Sequence, residues 1–315
     1  MKKLFRNLTA ALLAVIMMVS FAACTSTSTK EDASKTTKEA SATKYPLTVK
    51  DSKGKEVVID KEPKRIISVA PSITEIVYAL GKGDLLVGRT DYDDYPEKVK
   101  SVESIGSLTD PNVEKIIELK PDVVIASTHF KDDVAKKLGD LGIKIVVFYN
   151  AKDFTGAYES IDTLGQILNA QDSAKSLVAS MKKKIEAVEE KVKGKEAPKV
   201  YYVVGFGKDG DYTATGDTFI AQMIGMAGGK NIAKDASGWK YSLEKIIEND
   251  PEYIVISKNF GMKDQFIGTA GYKELSAVKN NKVIEIDDNL LNRQGPRLAE
   301  GVEALAKILH PELFK

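Results

Sequence analysis

The sequence predicts an α/β protein of two similar lobes, each with a parallel sheet, joined by one long α-helix with a ligand cleft between the lobes. Three observations carry that prediction. Strand-like apolar runs alternate with helix-like segments from residue 65 onward, the pattern of a parallel sheet with crossover helices. A segment of the first half recurs 130 residues later. Between the halves, Ala174, Leu177, Val178, Met181, Ile185, Val188 and Val192 recur at spacings of three and four, one face of a helix over 172–193. The length of 315 residues is itself enough for two domains.

The elements follow in order. Strands at 47–50 and 56–60 flank Asp51-Ser52-Lys53-Gly54 and predict a hairpin turning at Lys53-Gly54. Next come a strand at 65–70, a helix at 72–80 ended by Gly81, and a strand at 85–89. A short helix at 113–119 precedes a strand at 123–127, and a helix at 132–141 precedes a strand at 144–149. The repeat pairs Asn112-Val113-Glu114-Lys115-Ile116-Ile117-Glu118 with Ser242-Leu243-Glu244-Lys245-Ile246-Ile247-Glu248. Pro121 and Pro251 then lead into strands. Over 111–127 against 241–257, seven of 17 positions are identical without a gap. Strands at 199–204 and 282–286 are the counterparts of 65–70 and 144–149. The 172–193 helix has two readings, a surface helix of the first lobe or a bridge between both.

Composition narrows the function. Lys plus Arg number 46 against 45 Asp plus Glu, without the basic surplus of a dedicated nucleic-acid binder. One cysteine excludes an intramolecular disulfide and any multi-cysteine metal site. Two histidines make a zinc enzyme hard to build.

The N-terminus reads as a targeting segment, residues 1–23. Lys2, Lys3 and Arg6 precede an apolar stretch at 8–21 and small residues before Cys24, a secretory signal pattern. An uncleaved anchor is the alternative. Phe21-Ala22-Ala23-Cys24 resembles the lipobox of bacterial lipoproteins, which implies lipidation at Cys24. Residues 24–44 then form a tether; the twenty after the cysteine include ten Ser or Thr and no large apolar side chain. Without the signal the formal charge is −2. The folded lobes span 45–170 and 196–315, with the bridging helix at 171–195.

Open α/β sheets bind ligands beyond the carboxyl ends of their strands. The loops there carry Arg89, Tyr92 and Tyr95 in the first lobe, and Phe206, Tyr212, Trp239, Tyr241, Arg293 and Arg297 in the second. Aromatic faces with a few cations suit a large, flat, partly anionic ligand such as a corrinoid or tetrapyrrole, or a catecholate chelate. Rim packing is the alternative for each aromatic, and tethering of the last helix is the favoured reading of Arg297. His129 follows a strand, where an imidazole can serve as an axial metal ligand or as an ordinary loop residue. His310 reads as a helix C-terminal residue.

Ile66-Ile67-Ser68-Val69-Ala70-Pro71-Ser72-Ile73-Thr74-Glu75, then Val87-Gly88-Arg89-Thr90-Asp91-Tyr92-Asp93-Asp94-Tyr95-Pro96, then Ile105-Gly106-Ser107 and the repeated unit, are similar in order to the helical-backbone (class III) substrate-binding proteins of ABC importers. That class serves cobalamin, iron-siderophore and haem uptake. The similarity spans 47–314, and Asp91-Tyr92-Asp93-Asp94-Tyr95-Pro96 is most similar to the cobalamin-binding branch. It implies two Rossmann-like lobes and a lipid-anchored monomer on the outer face of the cytoplasmic membrane. Such a protein hands a cobalt- or iron-containing chelate to a permease dimer with its ATPase subunits, with no cofactor or catalytic residue of its own. The resemblance carries Tyr92, Tyr212, Trp239, Asp288 and Arg293 onto ligand-contact positions, and Glu114 and Glu244 onto positions that dock on permease arginines. Leu108 departs from the branch, which has a tryptophan nearby.

Gly205-Phe206-Gly207-Lys208-Asp209-Gly210 matches a dinucleotide-binding pattern, but no helix opens after it, so it reads as a cleft loop. No phosphate-binding loop or nucleophile elbow is present. The rival classes are a surface-anchored hydrolase or lyase and, third, a ligand sensor feeding another membrane protein.

Overall fold

The computed structural model describes residues 42–148, 151–208 and 210–315. The signal segment, Cys24 and the tether up to residue 41 lie outside the described residues. Thr43, assigned by composition to the tether, is already fixed: its N–H donates to Asn169 Oδ1 at 2.9 Å and its hydroxyl to the Gln166 carbonyl at 2.8 Å.

The first lobe opens with the hairpin β1 (Leu47–Lys50) and β2 (Glu56–Ile59), antiparallel, with Leu47 opposite Ile59. Asp51 builds the turn by accepting the N–H groups of Lys53 (2.9 Å) and Lys55 (2.8 Å), and Gly54 supplies φ of 80°. Four parallel strands follow, β3 (Ile66–Val69), β4 (Leu86–Gly88), β5 (Val123–Ser127) and β6 (Lys144–Phe148), in the order β4-β3-β5-β6. Between and after them lie α1 (Pro71–Ala79), α2 (Val113–Glu118), α3 (Asp132–Asp140) and α4 (Phe154–Ile167). The long helix α5 runs over Gln171–Val192, 22 residues or about 33 Å.

The second lobe repeats the plan. The strands β7 (Lys199–Gly205), β10 (Tyr253–Ser257) and β11 (Val283–Ile286) are parallel in the order β11-β10-β7. The short β9 (Lys230–Asn231) pairs parallel with β7, and β8 (Tyr212–Thr213) pairs antiparallel with it. The helices are α6 (Phe219–Met226), α7 (Leu243–Asn249), α8 (Lys263–Gly268), α9 (Ser276–Lys279), α10 (Asn289–Asn292) and α11 (Leu298–Leu309). Thus β7, β10 and β11 stand where β3, β5 and β6 stand in the first lobe.

The repeat extends to the backbone. Asn112 caps α2 by accepting the Lys115 N–H (3.0 Å), and Ser242 caps α7 by accepting that of Lys245 (3.4 Å). The chain leaves both helices through a left-handed residue, Lys120 at φ 45° and Asp250 at φ 41°. Asp122 then accepts the N–H of Arg65 at the start of β3 (2.9 Å), as Glu252 accepts that of Lys199 at the start of β7 (3.0 Å).

Side-chain alternation along the strands gives each sheet two apolar faces. Ile67, Val69, Val124, Ala126, Ile145 and Val147 face an outer core of the first lobe. Tyr201, Val203, Ile254, Ile256 and Val283 do the same in the second. The opposite faces, Ile66, Val123, Ile125 and Val146 from one sheet and Val200, Tyr202, Val255 and Ile286 from the other, belong to a single continuous core. Helix α5 runs through it, burying Ala174, Val178, Met181, Ile185, Val188 and Val192. It packs on α4 of the first lobe and on α6 and α11 of the second, so it is a bridge rather than a surface helix of one lobe.

Helix α4 is absent from the alternation read in the sequence. Two glycines dilute its helical signal. Gly165 is required by packing, since a Cβ there would stand 2.6 Å from the Ala174 Cβ where α4 and α5 touch.

Candidate functional site

The loops after the strands of both sheets meet. Arg293, beyond β11, donates to Glu75 Oε1 on α1 (3.0 Å), to Asp94 beyond β4 (2.6 Å) and to the Tyr92 carbonyl (3.3 Å). Arg297 grips Glu75 with two bonds, of 2.9 and 2.6 Å. Gln294 exchanges two bonds with the backbone of Ala151, at 2.5 and 3.0 Å. The Glu75 side chain is 1% exposed and those of both arginines 12%, so this is a buried ion cluster between lobes. Arg297 is therefore a tether, as the sequence favoured, and its guanidinium also lies 4.2 Å from the Tyr95 ring centre.

The ring-bearing residues fall into two groups. Tyr92, Tyr95 and Trp239 expose 57%, 47% and 41% of their surface at these loops. Tyr212 on β8 is half-buried, with the Lys240 ammonium 5.8 Å from its ring. The other group is turned inward. Tyr241 donates its hydroxyl to the Ile232 carbonyl (2.9 Å) and accepts Asn249 Nδ2 (3.1 Å), so its polar end is used within the lobe. Phe206 meets Phe266 edge-on, with centroids 5.1 Å apart, on the outer core. Leu108 packs against the shared core.

Trp239 is held in place by unusual backbone geometry. Its φ is 71°, a left-handed conformation that bulky residues rarely adopt. Its N–H donates to Thr215 Oγ1 (3.1 Å), its carbonyl accepts the Thr213 N–H (2.8 Å), and the Gly238 N–H reaches Asp217 Oδ2 (3.2 Å). The supporting turn needs Gly216, where a Cβ would fall 1.8 Å from the Lys234 carbonyl oxygen. Trp239 borders a cavity of about 280 Å³ at the ends of β7 and β10, which Val204, Phe260, Met262, Asp288 and Asn292 also line. The sequence does not single out Phe260; at 69% it is the most exposed of the large apolar residues described. Solvent exposure is its signal, and a one-dimensional pattern does not carry that.

The charged candidates are occupied within the protein. Asp288 is 7% exposed and accepts from Ser257 Oγ (2.6 Å), Asn292 Nδ2 (3.0 Å) and Asn259 Nδ2. Arg89 donates to the carbonyls of Thr90 (2.8 Å) and Lys100 (3.5 Å), against its own lobe. His129 is exposed in the loop after β5. His310 caps α11, buried, with Nε2 3.2 Å from the Gly228 carbonyl oxygen.

Glu114 and Glu244 are exposed in the first turns of α2 and α7. Hydrogen bonds at the N-terminus of α7, from its own backbone N–H and from Ser242, hold the Glu244 carboxyl below its usual range. The Gly205–Gly210 loop opens no helix; the short strand β8 follows instead. Among the described residues no helix is long and apolar enough to cross a membrane.

Two lobes around one long helix, with strand-end loops converging between them, define a two-lobed solute-binding protein of the helical-backbone class. The match is specific: residues 66–290 fit the Periplasmic binding protein family, and the chain belongs to it. It is 40% identical over 278 residues to a Bacillus subtilis protein named as an uncharacterized ABC transporter substrate-binding lipoprotein, covering 86% of this chain and 88% of that relative. It is 28% identical over 285 residues to the cobalamin-binding protein of Halobacterium salinarum, covering 85% and 75%. Among solved structures, a possible iron-binding (periplasmic solute-binding) protein from Staphylococcus epidermidis superposes with a TM-score of 0.72 at 32% identity, over 79% of this chain and 100% of that one.

Proposed function

We propose that this protein captures a ring-bearing metal chelate, a corrinoid first and a haem or iron-siderophore next. It then delivers the chelate to an ABC permease dimer driven by ATPase subunits. Lipidation at Cys24 holds it on the outer face of the cytoplasmic membrane. The observation that carries the ligand reading is Trp239, an exposed aromatic fixed at φ 71°. Such a conformation costs on the order of 1–3 kcal/mol and persists where function selects it. The site's charges support the preference for a corrinoid over a strongly anionic chelate. Arg293 is already matched by Glu75 and Asp94, and Arg297 by Glu75, while the rings of Tyr92, Trp239 and Phe260 are exposed.

The test is titration of the purified chain with cyanocobalamin, haemin and a ferric catecholate, followed by Trp239 fluorescence and calorimetry. Binding of cyanocobalamin below about 10 μM, roughly −7 kcal/mol, is expected. Trp239→Gly lowers that affinity at least about tenfold while leaving the melting temperature equal or higher, because glycine adopts φ 71° without strain. Binding of none of the three overturns the chelate reading; turnover of a supplied ester or lyase substrate would favour the enzyme instead.

The docking reading rests on Glu114 and Glu244, exposed at equivalent places in the two lobes. Electrostatic complementarity sets register and encounter rate in such contacts. Reversing both charges, Glu114→Lys with Glu244→Lys, abolishes uptake and leaves ligand affinity unchanged; loss of affinity in solution would refute it.

A further inference from the structure

The internal repeat lets each lobe act as a control for the other. Of the seven residues identical over 111–127 and 241–257, several have a structural task in both copies. Ile116 and Ile246 are fully buried in the two outer cores. Pro121 and Pro251 stop the helices before β5 and β10. Lys115 reaches Glu103 at 3.0 Å, and Lys245 lies 5.8 Å from the Tyr241 ring centre. Ile117 and Ile247 have no such task. They are 39% and 48% exposed, each directly after a fully buried isoleucine and turned about 100° from it around the helix.

One exposed isoleucine is ordinary on a protein surface. Two at equivalent positions, while ten of the 17 positions around them differ, are not explained by packing. Each stands three residues after an exposed glutamate, Glu114 or Glu244, and so lies beside it on the helix surface. The remaining exposed large apolar residues of the described chain divide differently. Tyr92, Tyr95, Val204, Trp239 and Phe260 lie at the strand-end loops or bordering the cavity there, while Val58 and Leu141 have no repeated partner.

We propose that Ile117 and Ile247 are paired apolar anchors, each seating in a pocket of one permease subunit beside a cation that meets Glu114 or Glu244. This rests on the docking reading above and extends it in two ways. It adds a desolvated apolar centre to a contact otherwise made of exposed charges, which fix register more than affinity. It also assigns the partner's symmetry: because the two faces carry the same Glu-Lys-Ile-Ile-Glu run, the two pockets are alike, as in a dimer of one permease polypeptide.

The test uses the full, lipid-anchored chain in cells that carry the importer, with radiolabelled cyanocobalamin as probe. Ile117→Ser and Ile247→Ser each lower uptake by a similar factor, and the double variant lowers it at least about tenfold. The affinity of the purified variants for cyanocobalamin stays within about twofold of the parent. In parallel, Ile117→p-benzoylphenylalanine and Ile247→p-benzoylphenylalanine, irradiated in the cells, give adducts that mass spectrometry assigns to the same permease polypeptide. The adducts disappear when Glu114→Lys and Glu244→Lys are added. Uptake at the parent level in the double serine variant, permease adducts from neither position, or equal permease adducts from Leu141→p-benzoylphenylalanine each overturn the proposal. Adducts to two different permease polypeptides overturn its symmetry. If the parent chain does not bind cyanocobalamin, the ligand reading fails alone, and the cross-links still decide the docking.

Discussion

Asp93 is 2% exposed beside the inter-lobe cluster. One carboxylate oxygen accepts the Thr90 N–H at 3.0 Å and also the Thr90 hydroxyl. The other is buried without a partner, as is the neighbouring Thr74 hydroxyl. Burial pushes the Asp93 carboxyl above its usual range, although the Thr90 bonds and the Arg293 charge oppose that rise. A raised acid contributes stability below its unfolded pKa of about 3.9 and loses it as pH climbs through the raised folded value. Asp93→Asn removes the ionisation and keeps an acceptor for Thr90. Its melting temperature therefore gains on the parent protein as pH rises from about 3.5 to 7; a difference that stays flat with pH would contradict this. The same scale explains the limits of sequence reading for single residues. Tyr241 and Trp239 are two positions apart and both aromatic, yet one is bonded inside the lobe and the other exposed. Nothing local separates them; the Ile232 carbonyl and the Thr215 hydroxyl do.

At the level of elements, the strands and the repeated helices were legible because their signals are local: apolar runs, an N-cap, a proline stop. The hairpin, both copies of the repeat and the 22-residue helix fall within one or two residues of the expected ranges. Helix α4 was not legible, because the residue that weakens its signal, Gly165, serves a contact with α5. Gly165→Val should separate these helices and destabilise the protein by about 1–3 kcal/mol, measured by chemical denaturation. An unchanged midpoint would show that the two helices do not need that approach. The loop that carries Trp239 was legible as a cleft loop, but its strained backbone was not.

For the whole molecule, the shared core and the Glu75 cluster make the lobes interdependent. Glu75→Gln leaves Arg293 and Arg297 buried with less opposing charge, which costs roughly 3–5 kcal/mol. Calorimetry should give one thermal transition in the parent chain, and Glu75→Gln should lower its midpoint. Two separate transitions in the parent would contradict a common core. The sequence by itself determined the two α/β lobes, their kinship, the long helix between them and the loops that form the site, because periodicity and turn chemistry act over a few residues. Only the tertiary structure decided which aromatics face outward, that Phe260 joins them, and that both arginines are held by a carboxylate 218 and 222 residues away in the chain. Those are outcomes of long-range packing, in which a side chain's neighbours, and not its own sequence context, fix where it points.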